Sequence, residues 1–166
     1  MDTADGRSRT RYFAYGSNLD PDELIGTCPG AERLCPATLP AYRRAFTRFS
    51  RKRGGGVADI VPDPDGTVHG AVYDIPGSDM EHLDAKEGVA VGAYQRITVD
   101  LQTPGGTVGA MAYKVVEPKG PFPPTAEYLM LILRGIEAWS IPPAEAETVI
   151  ATARALGTDT SAPSRP

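Results

Sequence analysis

Histidine, cysteine and tryptophan are scarce in this chain: two, two and one among 166 residues. His69 and His82 have no cysteine nearby and no second ligand at metal spacing, so neither builds a metal site and no metal is expected. Both are expected at the surface or at a strand edge. A Ser/His/Asp arrangement through Ser17 lacks the Gly-x-Ser-x-Gly elbow that such a nucleophile usually needs. Cys28 and Cys35 are too few for a disulfide framework, and residues 1–11 are polar and charged, unlike a secretory leader. The expectation is a cytoplasmic protein with two free thiols, a disulfide or a two-ligand metal site being the alternatives. No apolar run approaches ~20 residues, which argues against a membrane span. Positive charge is not in excess: 17 Lys and Arg against 21 Asp and Glu give a net charge of −4. A nucleic-acid partner would need a basic field with interleaved aromatics, and none is expected.

Glycine (18) and proline (16) are plentiful, while the apolar (41%) and charged (23%) fractions are those of a globular protein. Such punctuation favours short strands with turns over a helical bundle. Residues 11–156 read as a single domain, with polar segments 1–10 and 157–166 expected to be disordered. Strands are predicted at Tyr12–Tyr15, Thr38–Phe49, Val57–Val61, Val68–Ile75, Tyr94–Leu101 and Val108–Val116. Val57–Val61 and Val68–Ile75 read as a hairpin around Pro62-Asp63-Pro64-Asp65-Gly66, and Gly70 suggests a bulge or a close backbone contact. Helices are predicted after Asp20, over Ser78–Glu87 behind a Ser78/Glu81 capping box, over Thr125–Trp139, and after Pro142-Pro143. About six strands with a helix only once among the later ones predict an α+β fold. Its sheet should be mainly antiparallel, curled or closed into a small barrel flanked by helices. A doubly wound sheet would need a helix after nearly every strand.

Two stretches carry chemistry. The first is Tyr12-Phe13-Ala14-Tyr15-Gly16-Ser17-Asn18-Leu19. A β-prone run enters small turn residues, and Asp20-Pro21-Asp22-Glu23 then starts a helix with aspartate at the cap, proline at N1 and glutamate at N3. Free N–H groups cluster at such a junction, which reads as a cradle for a carboxylate, phosphate or oxyanion, or as a capped turn after a buried strand. The second is Glu87. Met80, Leu83 and Glu87 share the apolar face of their helix, where a carboxyl is costly unless paired or protonated. Its pKa should lie above the usual value, as suits proton transfer near neutral pH. The alternatives are a helix-end side chain that swings outward, or pairing to a buried arginine such as Arg96. Arg43, Arg44 and Arg48 read as one arginine-rich strand face. Arg51-Lys52-Arg53 before three glycines reads as a solvated turn or a mobile basic loop over an acidic substrate.

Phe13-Ala14-Tyr15-Gly16-Ser17-Asn18-Leu19 resembles the signature of the γ-glutamylcyclotransferase-like family, which includes γ-glutamyl cyclotransferases and a deprotecting enzyme of butirosin biosynthesis. Leu83-Asp84-Ala85-Lys86-Glu87-Gly88-Val89 resembles that family's second motif, about seventy residues on. Val68–Tyr73 is similar to its middle strand, although His69 stands where a large aromatic is expected. The likeness spans roughly residues 11–145. It implies a small barrel flanked by helices, Glu87 as catalytic acid/base, and a glutamyl pocket built from Tyr12, the Tyr15–Leu19 turn (Tyr15, Gly16, Ser17, Asn18, Leu19), Tyr94 and Tyr128. It implies release of 5-oxoproline from a small γ-glutamyl amine, peptide or acylated natural product, without a cofactor. The alternative is a non-catalytic small-molecule-binding or interaction module on the same fold. Monomer and homodimer are both open.

Overall fold

The computed structural model describes residues 8–161. Five strands close into a barrel in the order β1 (Arg9–Ala14), β3 (Gly55–Pro76), β2 (Glu32–Ser50), β4 (Tyr94–Thr103) and β5 (Gly106–Val115). Neighbours run antiparallel except at the closure, where β1 meets β5 in parallel at Tyr12 and Met111. The helices are α1 (Pro21–Thr27), α2 (Gly77–Lys86), α3 (Ala126–Ala138) and α4 (Pro143–Ala155). This is the α+β barrel that the strand-rich pattern predicts.

Local expectations fail in instructive places. The predicted hairpin around Pro62–Gly66 is absent: residues 55–76 form one strand, and both halves pair with β2. The proline-rich stretch becomes an irregularity in the ladder where Pro40 and Tyr42 shift register and Ala41 takes φ 64°. Pro62 and Pro64 have no N–H to give, so they interrupt the pairing without reversing the chain. The Ser78/Glu81 capping box does not form. Helix α2 starts earlier, with Pro76 at its cap, and the Gly77 N–H donates to Ser8 O (2.7 Å) instead. Arg9 and Thr10, within the first segment expected to be disordered, pair with Pro76 and Ile75. At the other end the buried Thr158 donates through its hydroxyl to Pro124 O (2.6 Å). Of the two segments expected to be disordered, 1–7 and 162–166 lie outside the described residues.

Core side chains from every layer converge beneath the turn that follows β1. Leu19, fully buried, fits against Gly135 of α3, where a methyl group would lie 2.5 Å from it. Trp139 Nε1 donates to Leu19 O (3.0 Å), and Tyr73 Oη donates to Asn18 O (3.1 Å). Arg44 and Glu145 form a buried ion pair (3.1 Å) that ties α4 to the barrel. Arg44 also donates to Tyr15 O (2.9 Å) and His69 O (2.8 Å). Breaking one partner of such a pair strands a charge, which costs about 3–5 kcal/mol.

Gly70 lets β1 approach β3: a methyl group there would stand 2.3 Å from Ala14 O and 2.6 Å from the Phe13 ring. A backbone oxygen cannot swing aside, so Gly70→Ala should cost about 1–3 kcal/mol by overpacking. Urea denaturation checks this; an unchanged midpoint and slope would contradict so close a β1–β3 contact.

Candidate active site

The last turn of α2 delivers Glu87. Met80 and Leu83 on the same face are buried, at 3% and 0% exposure. Glu87 is the C-cap residue, with its N–H bonded to Leu83 O (2.9 Å). Gly88 follows at φ 66°, a left-handed conformation that releases the chain sharply from the helix. The glutamate therefore ends up on the inner side, half-buried, and does not swing out.

Opposite it lies the turn after β1. Residues Ser17–Leu19 form one 3-10 turn, whose first internal bond runs from Leu19 N–H to Gly16 O (3.0 Å). The N–H groups of Ser17 and Asn18 precede that bond and have no partner within the turn. Asp20 then caps α1 by accepting from Asp22 N–H (3.1 Å), with Pro21 at N1, as the sequence predicts.

One side chain bridges the two elements. Asn18 Nδ2 donates to Glu87 Oε1 (3.1 Å) and to Tyr12 Oη (2.9 Å), while its Oδ1 accepts from Lys86 Nζ (2.7 Å). The three bonds close around a cavity of about 140 Å³ whose wall includes Tyr12, Gly16, Asn18, Glu87, Tyr94 and Tyr128. That volume suits a small-molecule group. Desolvation pushes the Glu87 pKa up; the Lys86 charge, the Asn18 hydrogen bond, and then Arg53 and Arg48 pull it back, and the net direction is upward. Burial likewise raises the Tyr12, Tyr15 and Tyr94 phenols well above their usual value, so these stay protonated. Tyr94 Oη donates to Ala58 O (2.7 Å) and Tyr128 Oη accepts from Ala58 N–H (3.0 Å), fixing both rings as walls. The rim is cationic, with Arg48, Lys52, Arg53 and Lys86. Such an arrangement can bind a small anion and move a proton between groups held beside Glu87.

The AIG2-like family model matches residues 67–146. The chain is similar to mouse γ-glutamylcyclotransferase, at 31% identity over 136 residues, covering 79% of this chain and 72% of that protein. The chain belongs to the γ-glutamylcyclotransferase-like family. A solved γ-glutamyl cyclotransferase is similar over 96% of this chain and 94% of its own, with a TM-score of 0.83 and 26% identity. A yeast γ-glutamyl cyclotransferase specific to glutathione shares the fold alone, with a TM-score of 0.62 at 15% identity over 90% of this chain and 96% of its own.

Seen in this family member, the resemblance places most of its residues together. Tyr12, Tyr15, Gly16, Ser17, Asn18, Glu87, Tyr94 and Tyr128 all line the cavity. Leu19 does not; it is fully buried in the core against α3, because an apolar side chain at the end of the turn gains more there. Arg96 is not a partner of Glu87. It pairs with Asp84 in a two-bond contact (2.9 and 2.6 Å) that leaves the arginine substantially exposed. The three strand arginines do not share a face: Arg43 is exposed, Arg44 is buried in its ion pair, and Arg48 lines the cavity. Arg43 and Arg44 are adjacent, so they point to opposite sides of the strand. In the 51–53 segment Arg51 and Lys52 are exposed in a turn, as the solvated-turn reading has it, but Arg53 is not free. Arg53 is docked on Glu23 (2.6 Å) and lies 5.6 Å from the centre of the Tyr128 ring. Neither histidine lines the cavity, whereas Tyr113 and Lys86, which carried no separate signal in the sequence, do.

The Asn18 hydrogen bond favours the ionised carboxyl, so Asn18→Ala should move the Glu87 titration to higher pH. Carbon-13 NMR of the labelled side-chain carboxyl reads this directly; a downward move would contradict the geometry.

Proposed function

We propose that this protein is a γ-glutamyl cyclotransferase. It cleaves a γ-glutamyl amine, peptide or γ-glutamyl-acylated natural product without water, a C–N cleavage of the lyase or acyltransferase type. The substrate's α-amine attacks its own γ-carbonyl carbon. A C–N bond forms to close the five-membered ring, the original amide C–N bond breaks, and 5-oxoproline and a free amine leave. The α-ammonium loses two protons on its way to the lactam N–H, one before attack and one as the ring closes. Glu87 accepts each in turn and passes it to the departing nitrogen, which leaves as an ammonium, so the enzyme ends as it began. The N–H groups of Ser17 and Asn18 hold the α-carboxylate or the developing oxyanion. The tyrosine walls keep the glutamyl chain folded in its cyclising shape, which supplies rate by proximity.

The observation that carries this reading is the position of Glu87: a desolvated carboxyl with a raised pKa, hydrogen-bonded to the turn that would grip the substrate. The cationic rim supports it too, since a free α-carboxylate is drawn to positive charge.

Glu87→Gln keeps the shape but cannot carry a proton. Turnover should fall roughly 10²–10⁴-fold with little change in substrate affinity. Its stability effect follows from linkage. A carboxyl whose folded pKa is raised binds its proton more tightly in the native state. Its contribution is therefore fully present below the unfolded pKa and is lost as pH rises through the folded one. The amide escapes that loss, so the variant should melt at an equal or higher temperature at neutral pH. A stable variant with undiminished 5-oxoproline release would refute the assignment.

The rim makes a separate prediction. Lys52 and Arg53 line the cavity while the exposed Arg51 does not. Neutralising Lys52 and Arg53 together should raise KM about three- to tenfold with kcat nearly unchanged, the mark of lost uniform binding. Arg51→Ala should leave both constants alone. Steady-state kinetics on the two variants checks this, and a large kcat loss at constant KM would contradict it.

A further inference from the structure

A second cavity, of about 280 Å³, adjoins the first: Arg48 and Ala93 line both, and Phe49, Val115 and Phe122 complete its apolar wall. Phe49 is 50% exposed and meets Phe122 edge to face, with ring centres 6.0 Å apart. An isolated exposed aromatic would mean little. Here the opposing wall is fixed in place by backbone bonds: Lys119 N–H to Thr47 O (2.8 Å), Phe122 N–H to Phe46 O (2.9 Å) and Gly56 N–H to Pro123 O (2.8 Å). The two rings are thus held ready at the mouth of a preformed space. Arg48 stands at the junction. Among the described residues its guanidinium makes no hydrogen bond or ion pair, yet its charge reaches both Glu87 and Tyr94.

We propose that this second cavity receives the amine half of the substrate and selects an aromatic or bulky apolar amino acid there, its carboxylate paired to Arg48 and its side chain laid against Phe49 and Phe122. The proposal rests on the cyclotransferase reading, because it is the split at Glu87 that divides the substrate into a glutamyl half and an amine half. The chemistry of the wall favours this occupant. Aromatic pairs gain from edge-to-face contact beyond simple burial. An arginine without a partner matches a carboxylate through two parallel hydrogen bonds. Glu117 and Lys119 stand at the rim and offer both signs of charge, so the rim favours neither a cationic nor an anionic side chain.

The test is calorimetric binding to the Glu87→Gln variant, which holds substrates without consuming them. Three probes are compared: γ-glutamyl-phenylalanine, γ-glutamyl-glycine and γ-glutamyl-phenethylamine. The first should bind about tenfold more tightly than either of the others, which lack the ring and the carboxylate respectively. Adding Phe49→Ala should shrink the margin over γ-glutamyl-glycine. Adding Arg48→Gln should shrink the margin over γ-glutamyl-phenethylamine. Phe49→Leu serves if the alanine variant melts early. Equal affinities for the three probes, or no binding of any, would overturn the proposal. Release of 5-oxoproline by the unmodified enzyme is measured in parallel. Its absence with a retained binding preference would count against the cyclotransferase reading and leave the subsite standing.

Discussion

The site depends on the side-chain amide of Asn18. Its oxygen meets the Lys86 ammonium, and an ammonium can only donate; this fixes the nitrogen toward Tyr12 and Glu87. A single amide therefore joins the turn after β1 to the last turn of α2, almost seventy positions away in the chain. β1 pairs with the far end of β3 in a register that sets Tyr12 beside Tyr73, and α2 begins directly where β3 ends. Tyr73 and Trp139 then hold the turn's carbonyls from below, so the amide has little freedom to move away.

Around this bridge the electrostatics are balanced rather than extreme. Desolvation works against ionisation of Glu87, and nearby cations work for it. A carboxyl left in that balance can both accept and return a proton, which a fully paired one would do poorly. Glu23 helps to maintain it. Glu23 accepts from both Arg53 (2.6 Å) and Lys86 (3.3 Å), and so holds two cations near the cavity without placing its own charge in the wall. The helix-start signal in the sequence read Glu23 as a local N3 residue; its tertiary role as an anchor for the rim has no local signature.

Legibility in the sequence followed the range of each interaction. The Asp20 cap, the proline at N1 and the apolar face carrying Glu87 are local, and each is where the spacing predicts it. The Pro62–Gly66 turn was misread because pairing to β2 on both sides overrode a strong local preference. Ser78 was misread because a backbone carbonyl from the chain start, Ser8 O, already satisfied the helix. Leu19 belonged to a motif, but its side chain obeyed burial. Arg48 was legible only as one of three strand arginines and Tyr113 not at all, since only closure of the barrel brings them to the cavity. Family likeness supplied what periodicity could not: that the two motifs belong to one site.

In the proposed reaction, ring closure by the substrate's own amine, with Glu87 moving the protons, cleaves the amide without water. Reaction in water enriched in oxygen-18, followed by mass spectrometry of the product, tests it most directly. Attack by the α-amine gives 5-oxoproline carrying no label from any γ-glutamyl compound that is turned over. Labelled glutamate would show that water, and not the α-amine, attacks the carbonyl, and would contradict it.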